Sequence, residues 1–273
     1  MVIFESFQRR TTFIKYLKSL PIMIIAAPFY GFPHSQGCKE SPLKIIDILE
    51  TMPLNEIGFN FKHESVAARS LQDLTEKVKQ NSTGYTKTIT LGGDHTITLH
   101  ALRGFVQSNP GAGIIIFDAH ADAVQNFHPL QNDLLVGIVK EKLIVPDRII
   151  IVGLRSWSGE EKDFLNSNGI RHLTMKKLTL ERLENVCDGV METANPWPAM
   201  YISIDLDVVD PAFAPGVGSP VAGGFTSREL IYFIQRLALL KNFKGADICE
   251  CDIKKDPAGF TLLLAAKLAK ELS

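Results

Sequence analysis

The residues able to do chemistry in this chain fall in four short clusters. Leu91-Gly92-Gly93-Asp94-His95-Thr96 places a histidine just past two glycines. Phe117-Asp118-Ala119-His120-Ala121-Asp122 sets three ligand-type side chains at i, i+2 and i+4. Ser203-Ile204-Asp205-Leu206-Asp207 repeats that spacing with two carboxylates, and Asp210-Pro211 lies just beyond. Asp247-Ile248-Cys249-Glu250 ends a fourth apolar run in a carboxylate. In extended backbone, side chains two apart share one face. Ile114-Ile115-Ile116 precedes the second cluster and is apolar enough to demand burial. Charges crowded at the end of a buried strand are costly unless a partner neutralises them. No lysine or arginine lies nearby in sequence, so a divalent cation is the economical partner. The carboxylates of Asp205 and Asp207 point the same way, because without a cation one would keep its proton.

Together the clusters supply two imidazoles and at least four carboxylates. Oxygen ligands with some nitrogen and no sulfur suit Mn²⁺ better than structural zinc. Six protein ligands are too many for one catalytic ion with an open position. Two ions sharing carboxylates fit the count; such a pair lies about 3.5–4 Å apart and lowers the pKa of a water toward about 7.

These clusters need elements that bring them together. Apolar and β-branched runs predict strands at 22–27, 88–91, 114–117, 148–152, 170–173, 200–204 and 245–250. Amphipathic spacing and capping residues predict helices at 41–50, 64–81, 96–108, 133–143, 158–168, 180–193, 226–240 and 261–272. Thr226-x-x-Glu229 has the form of a capping box. Strand–helix alternation implies a mostly parallel sheet with helices on both faces, and ligands bind such sheets at the carboxyl ends of strands. The four clusters fall at such ends. A loop of Pro211, Pro215, Gly216, Gly218, Pro220, Gly223 and Gly224 follows the third, stiff in places and permissive in others.

The 273 residues, 45% hydrophobic and 22% charged, suit one domain spanning 1–273, without repeat or linker. A net charge of −1 gives no pull toward nucleic acid or an anionic membrane. The longest apolar stretch, about 20–32, is short and broken by Pro21, Pro28 and Gly31. A soluble cytoplasmic protein is expected. Cys38, Cys187, Cys249 and Cys251 form no CxxC pair and read as buried apolar residues.

The clusters, in this order and with the long Pro/Gly tail after the third, resemble the ureohydrolases, the family of arginases and agmatinases. Gly37-Cys38-Lys39-Glu40-Ser41-Pro42 is similar to that family's early Gly…Gly-Pro segment. The resemblance implies a three-layer α/β/α fold, two Mn²⁺ ions, a small guanidino substrate and a homo-oligomer, trimer or hexamer. It implies that His95, Asp118, Asp122 and Asp205 hold one ion, and that His120, Asp118, Asp205 and Asp207 hold the other. Glu250 would pair with the guanidinium of the substrate.

Three departures bear on substrate and turnover. A His-Gly usually follows the second motif as a proton shuttle; here the stretch is Asn126-Phe127-His128-Pro129, leaving His128 as the candidate shuttle. Val124 stands where arginases carry an asparagine for the amino-acid carboxylate, and Ser156 follows Gly153-Leu154-Arg155 where an aspartate is common. Both losses favour a decarboxylated substrate, agmatine, cleaved to putrescine and urea. Another guanidino or formimino compound, arginine, and a catalytically quiet binding subunit are the alternatives. A single-zinc deacetylase would need a His-His pair, and the chain has none.

Overall fold

The computed structural model describes residues 22–31, 33–52, 63–124 and 133–273. Eight strands form one sheet: β1 (Ile22–Ala27), β2 (His63–Ala67), β3 (Thr88–Gly92), β4 (Gly113–Phe117), β5 (Ile149–Leu154), β6 (Arg171–Thr174), β7 (Met200–Asp205) and β8 (Phe243–Cys249). Their order is β2-β1-β3-β8-β7-β4-β5-β6. Every neighbouring pair is parallel.

Burial explains the composition of the strands. Ile114, Ile115, Ile116 and Phe117 are all buried, as a parallel strand covered on both faces requires. Successive residues serve opposite cores. Ile115, Phe117, Ile150 and Val152 join one apolar cluster, and Ile114, Ile116, Ile149 and Ile151 join the other.

Helices cover both faces. On the first lie α1 (Ser41–Thr51), α6 (Met175–Glu181), α7 (Leu183–Ala194), α8 (Ser227–Leu237) and α9 (Phe260–Glu271). On the second lie α2 (Leu71–Asn81), α3 (Thr96–Ser108), α4 (Leu134–Lys140) and α5 (Gly159–Ser167). The expected three-layer α/β/α arrangement is therefore present. None of the described helices is long and apolar enough to cross a membrane.

Two expected helices divide differently. Residues 64–67 are not helical but belong to β2, which pairs along the edge of β1. The helix starts only after Ser70, whose hydroxyl accepts from the Asp73 N–H at 3.0 Å. An open strand edge offers backbone partners that amphipathic spacing cannot reveal. The expected helix at 180–193 is two helices. Thr174 caps the earlier one, and Arg182 at φ 64° separates them. The helix predicted at 133–143 is shorter, Leu134–Lys140, and the capping box at Thr226 forms as expected.

The chain crosses two intervening strands between β3 and β4, which β8 and β7 separate in the sheet, and again between β6 and β7. The four central strands, β3, β8, β7 and β4, are the ones whose carboxyl ends carry the four clusters.

Candidate metal centre

Each cluster is shaped by a local backbone requirement. At the end of β3, Gly93 N donates to the Ala27 carbonyl at 2.9 Å, and the Gly93 carbonyl accepts from Glu250 N at 2.8 Å. A Cβ at Gly93 would stand 1.8 Å from the Phe29 carbonyl oxygen, so only glycine fits. His95 then enters α3 from this turn. At the ends of β4 and β7 the two aspartates close matching turns. Asp118 Oδ1 accepts from His120 N at 2.7 Å, and Asp205 Oδ1 accepts from Asp207 N at 2.7 Å. The Ala119 N–H donates to Asp207 Oδ1 at 3.2 Å and joins the two turns.

The turns bring six predicted residues together. His95 Nδ1 lies 3.2 Å from Asp118 Oδ2, 3.3 Å from Asp122 Oδ2 and 3.4 Å from Asp205 Oδ2. His120 Nδ1 lies 2.8 Å from Asp207 Oδ2 and 3.7 Å from Asp118 Oδ1. Two groups could hold a metal ion: His95, Asp118 and Asp122, and Asp118, His120 and Asp207, each with ligand atoms within 4.8 Å of one another. Asp118 belongs to both, with one oxygen turned to each histidine. Asp205 reaches the first group, and the structure gives no contact from it to His120.

Hydrogen bonding fixes how His95 faces this cluster. Ser203 Oγ donates to Asp247 Oδ1 at 2.7 Å, so its oxygen is free to accept from His95 Nε2, 3.0 Å away. That leaves the Nδ1 lone pair aimed at three carboxylates. A lone pair facing carboxylates needs a proton or a cation between them. Among the described residues, no lysine or arginine forms an ion pair with Asp118, Asp122, Asp205 or Asp207. This donor set fits a pair of hard divalent cations.

Without a cation the cluster holds protons. Burial, aided by Asp207 and Asp122, pushes the Asp118 carboxyl up to about 7. Burial and the neighbouring carboxylates of Asp207 and Asp118 raise Asp205 well above its ordinary value. Burial disfavours charge on His120, but the hydrogen bond and charge of Asp207 outweigh it and raise the imidazole to about 9. Burial likewise opposes ionisation of Asp207, yet His120 draws it below the usual carboxylate range.

Glu250 stands beside the cluster, buried and at φ 66°. Its Oε1 accepts from His95 N at 2.9 Å. Its Oε2 accepts from Ser35 Oγ at 3.2 Å and Cys38 Sγ at 3.7 Å. Burial and the charge of Asp94 push it up to about 8. Asp122 also has positive φ, 46°. A non-glycine residue is strained there by about 1–3 kcal/mol, which is typical of functional positions. His128 lies outside the described residues. Val124 and Ser156 are both half-buried. The Ser156 N–H donates to the Ala119 carbonyl at 3.0 Å, beside His120.

A profile of the arginase family matches residues 21–273. The chain belongs to that family. Among its relatives, a guanidinobutyrase of Pseudomonas aeruginosa is 34% identical over 196 residues, 67% of this chain and 59% of that protein. An agmatinase of Shigella sonnei is 33% identical over 185 residues, covering 67% of this chain and 58% of that protein. The chain thus spans about three-fifths of the length of these relatives. The crystal structure of formimidoylglutamase from Bacillus subtilis shares the fold, with a TM-score of 0.86 at 19% identity over 94% of this chain and 90% of that one. The resemblance to the ureohydrolases holds across almost the whole chain.

Around the arginase-family motifs, several supporting contacts are not legible from sequence. Ser35 and Cys38 engage Glu250 across more than 210 positions. Glu161 completes the capping box of α5 and also accepts from Ala123 N at 3.4 Å, next to Asp122. Nothing in local spacing ties these residues to the cluster. Ser203 and Asp247 sit inside recognised motifs, where their alignment with the ligand strands was the available signal.

Proposed function

We propose that this chain is a binuclear manganese amidinohydrolase that cleaves a guanidino group to urea and an amine, with agmatine as substrate and putrescine as product. The observation that carries the proposal is the Asp118 carboxylate, shared by two histidine–carboxylate groups, with Glu250 buried beside them. In this proposal His95, Asp118, Asp122 and Asp205 hold one ion, and His120, Asp118, Asp205 and Asp207 hold the other. Two divalent cations bound there supply a water of lowered pKa for attack on the guanidinium carbon.

Glu250 binds the guanidinium, a planar donor fork matched to a planar carboxylate. Ser35, Cys38 and the His95 N–H hold that carboxylate in one orientation. An arriving guanidinium favours its ionised form, against the burial that raises it in the free site. Ser203 keeps His95 in the tautomer that presents Nδ1. His128 is the candidate to carry a proton to the leaving amine.

Val124 and Ser156 support agmatine over arginine, because neither offers an amide or carboxylate to an amino-acid head group. The Pseudomonas relative named as a guanidinobutyrase favours a second reading, guanidinobutyrate. The family resemblance extends the proposal to a cytoplasmic homo-oligomer, trimer or hexamer, of single-domain subunits. The deciding experiment is urea release from Mn²⁺-loaded protein, with agmatine, guanidinobutyrate and arginine side by side. Urea from agmatine alone supports the proposal. Urea mainly from guanidinobutyrate or arginine keeps the chemistry and refutes the substrate assignment. Urea from none of them, with two ions bound, turns the assignment toward formimino compounds or a catalytically quiet subunit.

A further inference from the structure

Arg155 ties the backbones of the two acidic motifs together, beside the His120–Asp207 pair that joins their side chains. Its backbone N–H donates to the Ala119 carbonyl at 3.0 Å, between Asp118 and His120. Its guanidinium reaches the turn after Asp205, donating to the carbonyls of Asp207 at 2.6 Å, Val208 at 3.1 Å and Val209 at 3.4 Å. It also donates to the Gly153 carbonyl at 3.4 Å, and to Val221 at 2.7 Å from Nη2 and 3.2 Å from Nε. Among the described residues all of its hydrogen-bond acceptors are backbone carbonyls.

The surroundings are built to admit this side chain. A Cβ at Gly224 would lie 2.7 Å from Arg155 Nη2. Gly153 has φ 106°, and a Cβ there would lie 2.4 Å from Val208 Cγ2. Asp210 closes the far end of the loop, accepting from Ala212 N at 2.9 Å, Gly223 N at 2.6 Å and Gly224 N at 3.3 Å. The turn after β7 leaves the sheet; its Val208 carbonyl also accepts from Phe225 N at 3.1 Å, and the Asp207 and Val209 carbonyls are met by the Arg155 guanidinium. A rigid five-donor fork can satisfy several of them at once; a lysine ammonium, compact and with three donors, cannot.

We propose that Arg155 is the positioning residue for the Asp207 side of the site, clamping the 205–209 turn against the 118–122 segment. The proposal rests on the binuclear reading above. Its effect falls chiefly on the group of Asp118, His120 and Asp207, because the guanidinium holds the Asp207 carbonyl itself. The group of His95, Asp118 and Asp122 has separate supports, Ser203 behind His95 and the Leu135 N–H on the Asp122 carbonyl at 3.1 Å.

The test is Mn²⁺ titration of wild-type, Arg155→Met and Arg155→Lys full-length protein, by electron paramagnetic resonance and calorimetry, with the melting temperature of each metal-free form. The wild type should bind two ions. Both variants should bind the ion of the Asp207 group about 10–100-fold more weakly, the usual cost of removing support from a ligand, and lose less at the other, which shares only Asp118 and Asp205 with it. Wild-type affinity at both sites in Arg155→Met would overturn the inference. Full recovery in Arg155→Lys would show that charge rather than the fork matters, and would overturn it too. Parallel weakening of both sites with a lower metal-free melting temperature would mark a general scaffold role and sink the selective one. A wild type that binds no pair of ions would refute the binuclear reading, and the inference with it.

Discussion

Binding of Mn²⁺ should release protons, and the structure gives a lower bound on how many. Metal ligands must give up their protons to bind. Near pH 7, His120, at about 9, is almost fully protonated, and Asp118, at about 7, is half protonated. Displacing them releases about 1.0 and about 0.5 protons, so about 1.5 in total. His95 and Asp205 are shifted upward as well and add to that count. By linkage, the logarithm of the binding constant then rises by at least about 1.5 per pH unit. Between pH 6.5 and 7.5 that is roughly a 30-fold gain in affinity, or about 2 kcal/mol. Calorimetric titration in buffers of different ionisation enthalpy counts the protons directly. Toward pH 8 the contribution of these two groups should fall to about 1.0, as Asp118 loses its proton. Asp118→Ala, which removes the residue common to both groups, should bind neither ion tightly. Release of fewer than about 0.5 protons at pH 7, with two ions bound, would show that these side chains are not the ligands.

The metal-free protein should lose stability as pH rises. Asp118 goes from 3.8 to about 7 and Glu250 from 4.5 to about 8 on folding, so the folded state holds protons that the unfolded chain releases. His120, raised from 6.5 to about 9, has the same sign: its stabilisation is present below 6.5 and fades toward 9. Melting temperatures in chelator should therefore decline from pH 5 to 9 and flatten when Mn²⁺ is added; a flat profile in chelator would contradict the burial argument. Glu250→Gln should lower turnover by on the order of 100-fold or more while both ions stay bound, as counted by metal analysis. Loss of metal instead would place Glu250 among the ligands. Ser203→Ala removes the acceptor behind His95 and should weaken Mn²⁺ binding about 10–100-fold, measured by calorimetry.

Much of the fold is legible from local pattern. Ile114, Ile115 and Ile116 announce a strand buried on both faces, and β4 is such a strand. Thr226 and Glu229 announce a helix start, and their reciprocal hydrogen bonds form it. Residues 64–67 carry the spacing of a helix, but an open edge of β1 gives their backbone a better partner. Arg182 has no sequence mark of a break, yet its positive φ separates α6 from α7. At 64–67 a tertiary contact overrides a local preference worth less than about 1 kcal/mol per residue.

By itself the sequence determined which side chains must neutralise one another. Carboxylates and imidazoles two apart after apolar strands have few physical outcomes, and His95, Asp118, His120, Asp122, Asp205 and Asp207 do converge. Only the tertiary structure decided how that cluster is held. Strand order places β8 and β7 between β3 and β4, which brings Glu250 onto the His95 backbone and Ser35 onto Glu250. The same packing lets Arg155 gather carbonyls from segments more than 50 positions away. Such contacts depend on where the sheet puts distant strand ends, and no local spacing encodes that.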